Sequence, residues 1–356
     1  MKQVFIITIV ASLLTLSQTN AQDVNFAQMN LTPQLMNPGA TGVFPGWERV
    51  SISHRQQWIT VGSPFVTSQF SGDFNLFKDK QNTGKGYLGI GANFYHDVAG
   101  DAKLGTNQFS LTVSGVINLD KNQSLSLGIQ GGGAQRTAQP GNLTWGNQFD
   151  GETFDTNLSS NEANSAASFI NPDFGAGLFY DYHGAQSSFS RNAIQNMYMG
   201  ISMYHITSPT FQYYNGSTDK LKRKIIGIIG FDFDLPSSPL VFSPKVSYTK
   251  QGASQEILGT LAGKFMLSQG TKYTGIYNSS YFTFGLNYRN LDALGPMFGL
   301  EISGITFSAA YEFNISPLRS STNSQGAFEI TLQYRNLNNA LFKGRRTKGF
   351  SKGGGK

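Results

Sequence analysis

No cysteine occurs anywhere in the 356 residues, which removes disulfide scaffolds, thiolate metal sites and thiol enzymes together. Charge is scarce as well: Asp, Glu, Lys and Arg make up 13% of the chain, against about 25% in a typical soluble domain. Mean hydropathy is −0.24, and no run of 18 or more apolar residues exists, so a polytopic helical membrane protein is excluded. Disorder is excluded by the reverse argument, because disordered chains are charge-rich and poor in aromatics. The chain is instead rich in Gly (41), Phe (28) and Tyr (15), a composition that suits one or two β-rich domains at this length.

The one long apolar stretch, Val4 to Leu16, follows Lys2 and precedes Thr19-Asn20-Ala21. A basic start, a short apolar run and a small-x-Ala site together form a secretory signal, with residues 1–21 removed and the mature chain starting at Gln22. The formal charge of +6 is also uneven. Of the 27 basic residues, Lys2 lies in the signal and seven lie at or beyond Arg335, where no acid occurs, leaving nineteen against 21 acidic residues in the body. The basicity is therefore that of a tail, residues 336–356, and no nucleic-acid-binding face is indicated.

Period-2 alternation runs through nearly all of the body. Phe109, Leu111, Val113, Ile117 and Leu119 oppose Gln108, Ser110, Thr112, Ser114 and Asn118; Phe328, Ile330, Leu332 and Tyr334 oppose Glu329, Thr331, Gln333 and Arg335. Fourteen such segments are predicted, at 49–60, 64–77, 86–98, 104–119, 123–135, 169–183, 195–206, 222–234, 240–250, 255–268, 279–290, 295–303, 304–315 and 326–335. An even number of strands, most of them about 9–11 residues long or more, is what a tilted strand needs to cross a hydrocarbon core. With the N-terminus in the periplasm, the long loops at 136–168 and 207–221 fall on the outer side. A soluble sandwich would also alternate, but its second face normally carries charge, whereas here that face is Ser, Thr, Asn, Gln and Gly. The fold class is thus an all-β, antiparallel outer-membrane β-barrel of about 14 strands over residues 49–335, in a Gram-negative envelope. Tyr180, Tyr182, Tyr204 and Tyr288 are read as aromatic girdles at the lipid interfaces.

Candidate chemistry is sparse. His54, His96, His183 and His205 form no metal-binding spacing, and His96-Asp97 and Asp181-Tyr182-His183 are the only local pairings. Gly131-Gly132-Gly133 lacks a G-K-[ST] continuation and reads as a strand end where another backbone approaches closely. Asp232-Phe233-Asp234 reads as turn chemistry, and Asp150, Glu152, Asp155 and Glu162 as an acidic outer loop without calcium-loop spacing. No catalytic residue, cofactor or metal is assigned.

Residues 22–48 follow a different pattern. They contain Met36-Asn37-Pro38-Gly39-Ala40-Thr41-Gly42, and the first strand then carries Arg55-Gln56-Gln57-Trp58. Pro38 fixes φ, and Gly39 and Gly42 permit sharp turns, so this stretch is expected to fold as a compact loop at the periplasmic mouth or as a plug. Arg55 and Gln57 are expected to face the lumen, bonding this loop or pairing with a carboxylate such as Asp73, with Trp58 toward lipid. These motifs resemble the PorP/SprF family of type IX secretion system membrane proteins from Bacteroidota. Later stretches are similar too: Phe174-Gly175-Ala176-Gly177-Leu178-Phe179-Tyr180, Tyr198-Met199-Gly200-Ile201-Ser202, Phe284 to Arg289 and Gly326 to Ile330. Gly39, where the family usually has Ala, and Ala310-Tyr311-Glu312-Phe313 depart from its pattern.

The resemblance implies a non-enzymatic outer-membrane component supporting export or surface attachment of a secreted adhesin in gliding or biofilm formation. Its motif residues here are Asn37, Pro38, Gly42, Arg55, Gln57 and Trp58. Implied partners are outer-membrane lipid, an adhesin with a type IX sorting domain, and periplasmic machinery or a peptidoglycan-associated protein. Lys343, Arg345, Arg346 and Lys348 of the tail are candidates for the periplasmic contact. A diffusion porin or small hydrophobic-solute transporter is the alternative.

Overall fold

Lipid offers no partner to an unpaired backbone group, so a sheet crossing it must close on itself. The computed structural model describes residues 23–62, 64–78, 86–161, 167–184, 194–211, 219–235, 238–268 and 280–337, and it shows that closure. The wall runs from β1 (Glu48–Gln57), β2 (Phe65–Leu76), β3 (Tyr87–Ala99) and β4 (Leu104–Asn118) to β5 (Gln123–Ala138), β6 (Ala167–His183) and β7 (Ile194–Tyr204). A two-residue hairpin, β8 (Thr210–Phe211) and β9 (Asp219–Lys220), stands outside the wall. The wall resumes with β10 (Lys224–Asp234), β11 (Leu240–Gln251), β12 (Ser254–Ser268), β13 (Ser280–Arg289), β14 (Ala293–Ile302), β15 (Ile305–Asn314) and β16 (Gln325–Asn336). Neighbours in the chain are neighbours in the sheet throughout, and β1 pairs with β16 from Glu48↔Asn336 to Gln57↔Ala327 to complete fourteen antiparallel strands.

Each alternating segment of the sequence supplies one wall strand. In β4, Phe109, Leu111, Val113 and Ile117 are exposed on the outer wall, while Gln108, Ser110, Thr112 and Ser114 are buried toward the lumen. The strand expected to run on to Ile206 stops at Tyr204, because His205 takes a left-handed φ of 56°. Both ends of the wall, Glu48 and Asn336, lie at one rim, and the two longest connections, 139–166 and 205–223, lie at the other. Gly131-Gly132-Gly133, expected at a strand end, lie in the middle of β5; the close approach is found at Gly132, where a Cβ would meet the Phe109 carbonyl oxygen at 2.0 Å.

Fourteen strands enclose more space than wall side chains can fill; about eight is the size at which they suffice. Residues 23–47 occupy part of that space. Rather than gathering at the rim beside β1, they run the length of the lumen, with three single turns (Met29–Leu31, Pro33–Met36, Pro38–Ala40) linked by Thr32 and by the extended Asn37. Asp23 lies near the rim of the long connections, and Trp47 bonds Asn336 and Asn75 at the opposite rim. The reason is packing. Met29 and Met36 join Tyr204, Ile226 and Leu258 in one apolar cluster, and Ala40 and Val43 join Tyr87, Val116 and Phe179 in another. Tyr204 is therefore no girdle residue: it shares the inward parity of Ser202, is 6% exposed, and donates its hydroxyl to the Gln34 carbonyl at 2.8 Å.

Candidate functional site

Asn37 makes the most specific contact between this inner segment and the wall. Its side chain is fully buried; Oδ1 accepts the Gly39 N–H at 2.8 Å and Nδ2 donates to the Leu178 and Ile201 carbonyls at 3.0 and 3.2 Å. Those carbonyls belong to the two motifs Phe174 to Tyr180 and Tyr198 to Ser202, so three separated sequence motifs share one contact. It requires glycine in the wall. A Cβ on Gly177 would lie 2.1 Å from Asn37 Oδ1, on Gly200 2.5 Å from Asn37 Nδ2, and on Gly128 2.3 Å from the Pro38 backbone. Ser202 and Ser114 donate to the carbonyls of Met36 and Thr41, both at 2.6 Å, on either side.

Toward the β1 rim, Arg49 grips Asp73 through two parallel hydrogen bonds of 2.9 and 2.7 Å. Asp73 Oδ2 also accepts the Gly42 N–H at 2.8 Å, and Arg49 donates to the Ala40 carbonyl and stacks over Phe44, 4.4 Å from its ring centre. Gly42 adopts φ +75°, and a Cβ there would meet Asn75 and Gly89. A bidentate arginine–carboxylate pair is a strong, directional bond, and here it fixes the turn that ends the inner segment.

Higher in the lumen, five buried charges form a chain across β12, β13, β15, β1 and β16. Arg289 bonds Glu256 (2.5 Å) and Glu312 (3.0 Å); Arg55 bonds Glu312 (2.6 Å) and Glu329 (3.3 Å). Both ends of the chain reach the inner segment: Asn25 donates to Glu256 at 2.6 Å, and Glu329 accepts the Ala27 and Gln28 N–H groups at 2.7 and 2.9 Å. Three carboxylates face two guanidiniums, so these donors offset the excess negative charge.

At the far rim Asp23 is held by His205 Nε2 (3.0 Å), Lys224 (3.6 Å) and the Gln251 side chain, which accepts its N–H at 3.2 Å. His205 Nδ1 faces Asp173 at 2.9 Å. An imidazole with a carboxylate on each nitrogen is best satisfied as the doubly protonated cation. Burial pushes the His205 pKa down, but Asp173 and Asp23 outweigh it and raise it from 6.5 to about 9. Asp23 is driven up by burial and down, more strongly in total, by Lys224 and His205, and ends well below its usual 3.8. The signs differ. The histidine contribution is complete below pH 6.5 and disappears as pH rises through about 9, whereas the aspartate contribution is lost only as pH falls below about 4. Amide exchange at Val24, Asn25 and Phe26, corrected for intrinsic rate, is therefore expected to accelerate between pH 7 and 10. In a His205→Gln variant that acceleration is expected to disappear; equal acceleration in both proteins would refute it.

The sequence model of the type IX secretion system membrane protein PorP/SprF matches residues 18–334, nearly the whole chain. The chain belongs to the PorP/SprF family. A search of curated proteins finds no match. Among solved structures, the chain is similar in fold to the KdgM porin in complex with disordered oligogalacturonate (8% identity, TM-score 0.34, covering 80% of this chain and 98% of that one). It is also similar to CdiB from Acinetobacter baumannii (10% identity, TM-score 0.40, 81% and 60%) and to the TodX deltaS2S3 mutant monoaromatic hydrocarbon channel (10% identity, TM-score 0.37, 84% and 92%). These are likenesses of barrel fold alone. This PorP/SprF protein is an outer-membrane β-barrel.

Within this PorP/SprF barrel, Asn37, Pro38, Gly42 and Arg55 are all brought to the interface between inner segment and wall. Asp73, offered as a partner of Arg55, pairs with Arg49 instead; Arg55 reaches both the segment's acceptor Glu329 and Glu312. Gln57 and Trp58 are half-buried at the rim of the long connections, where Trp58 packs edge-on against Phe65 at 5.0 Å. Asp232 is a lumenal charge rather than a turn residue, bonded to Lys264 at 2.8 Å and to Ser243 at 2.5 Å. Asp150 and Asp155 cap backbone and side-chain N–H groups of their own loop, and Asp181 pairs with His183 at 2.8 Å. Glu162 and the tail cations Lys343, Arg345, Arg346 and Lys348 lie outside the described residues, as does the signal. Sequence reading passed over Arg49, Glu256, Arg289, Glu312, Glu329, Asp173 and His205 as a set. Except for His205, each carries the inward parity of its strand, which was the available signal.

Proposed function

We propose that this barrel is a closed, non-enzymatic component of the type IX secretion system that supports export or surface attachment of a secreted adhesin, in gliding or biofilm formation. The observation that supports this is the lumen: residues 23–47 run through it from rim to rim and are tied to the wall by the buried Asp23–His205 pair, by the carboxylates of Glu329 and Asp73 that accept their N–H groups, and by close approach to glycines with no room for a side chain. A barrel stoppered in this way is suited to hold a partner at its rims rather than to pass solutes. In this reading the N-terminal segment is a plug, the adhesin engages the rim with the connections at 139–166 and 205–223, and the basic tail meets machinery or peptidoglycan-associated protein in the periplasm.

The test is affinity purification of the tagged barrel from native outer membrane, with and without replacement of residues 141–161 by a short Gly/Ser turn. A large secreted protein with a type IX sorting domain is expected to co-purify with the first form and be lost from the second. A barrel that purifies alone and conducts ions steadily would overturn the reading in favour of a porin.

A further inference from the structure

The inner segment leaves one part of the lumen unfilled. A cavity of about 360 Å³ lies at the rim shared by the two ends of the wall, between the apolar side of the segment (Met29, Met36) and a wall that includes Phe179, Met297 and a row of charges. This volume falls in the range of small-molecule sites. The charges can be matched one by one. Arg49 is taken by Asp73 (2.7 Å), Lys264 by Asp232 (2.8 Å), Arg335 by Glu301 and His183 by Asp181 (2.8 Å).

Lys245, on the inward face of β11, is the exception. It lines the cavity and is 6% exposed, and among the described residues it makes no ion pair or hydrogen bond. The nearest acid by register, Asp232, has both oxygens engaged, Oδ1 by Ser243 and Oδ2 by Lys264. Lys245 and Lys264 thus face a single carboxylate, Asp232, and an ammonium taken out of water without a hydrogen-bonded partner of its own is costly to the fold. Beside a cavity, that cost marks a place for an anion. One unmatched positive charge selects a monoanion, and the methionines and Phe179 opposite offer an adaptable apolar bed.

We propose that this cavity binds a small monocarboxylate with an unbranched apolar body, such as a medium-chain fatty acid, its carboxylate on the Lys245 ammonium and its chain along Met29, Met36 and Met297. The inference does not depend on the adhesin reading. A free peptide C-terminus carries the same head group, but its backbone polar groups would lie unpaired against the apolar bed.

Titration calorimetry of the full-length barrel in lipid nanodiscs, with empty nanodiscs subtracted, tests the site with decanoate, decanol and a short apolar peptide bearing a free C-terminus. Decanoate is expected to bind about tenfold more tightly than decanol, the factor for one charge-assisted contact. In Lys245→Met the two are expected to bind alike, while Lys103→Met, in an exposed turn of the opposite rim, leaves the ratio unchanged. Retention of the heat-modifiable band on electrophoresis shows that Lys245→Met folds, and its unfolding midpoint is expected to equal or exceed that of the unaltered protein without ligand. Equal binding of decanoate and decanol by the unaltered barrel, tighter binding of the peptide, or decanoate selectivity surviving in Lys245→Met would each overturn the proposal.

Discussion

Replacing Arg55 with Met is expected to destabilise the barrel by about 3–5 kcal/mol, the usual cost of removing one member of a buried ion-pair network. The size of the effect follows from what is left behind. Among the described residues Arg55 is the only charge that touches both Glu312 and Glu329, and all three side chains are almost fully buried. Without it, three carboxylates would face Arg289 alone, and Glu329 would hold an uncompensated charge against the Ala27 and Gln28 amides. Two consequences are separable. The temperature at which the folded band disappears on electrophoresis should drop, and amide exchange at Ala27 and Gln28 should rise before the barrel itself opens. Arg55→Met combined with Glu312→Gln should recover part of the loss, because it removes one stranded charge; a double variant less stable than the sum of the singles would contradict the network.

Gly128→Val is expected to leave the wall intact and eject the segment from it. Valine is a good strand former, yet its Cβ would lie 2.3 Å from the Pro38 backbone, a separation that real Cβ atoms do not adopt, and backbone cannot swing aside as a long side chain can. The conflict must be resolved by displacement of residues 37–41, with loss of the Asn37 bonds to Leu178 and Ile201. In planar bilayers this variant should show stepwise currents absent from the unaltered protein. Gly115→Val is the control in the same sheet, because nothing lies within 4 Å of a Cβ there. Currents from Gly115→Val, or none from Gly128→Val despite normal folding, would show that the segment does not close the lumen.

These two residues illustrate different degrees of legibility. Arg55 stands out in sequence as a charge on the polar parity of an alternating strand, and an inward position with a buried partner follows from that. Which partner does not follow. Glu329 and Glu312 are more than 250 positions away, and the choice between them and Asp73 depends on barrel closure, which sets β1 against β16. Gly128 carries no sequence signal of its own. A glycine in a strand can mark a bulge, a bend or a close approach, and only the position of Pro38 shows which of these it is.

The fourteen strands and most of their inward and outward faces were determined by the sequence alone, because a two-residue repeat needs only its own neighbours to declare its faces; Tyr204, read as a girdle residue, is the exception that turns into the lumen. The path of residues 23–47 was decided only in three dimensions. Their turns and apolar residues fit a loop at the mouth as well as a segment inside the barrel. What excludes the first is a lumen too wide for its own side chains, lined by Ile226, Leu258, Val116 and Phe179, which pack against Met29, Met36, Ala40 and Val43 of the chain's own beginning.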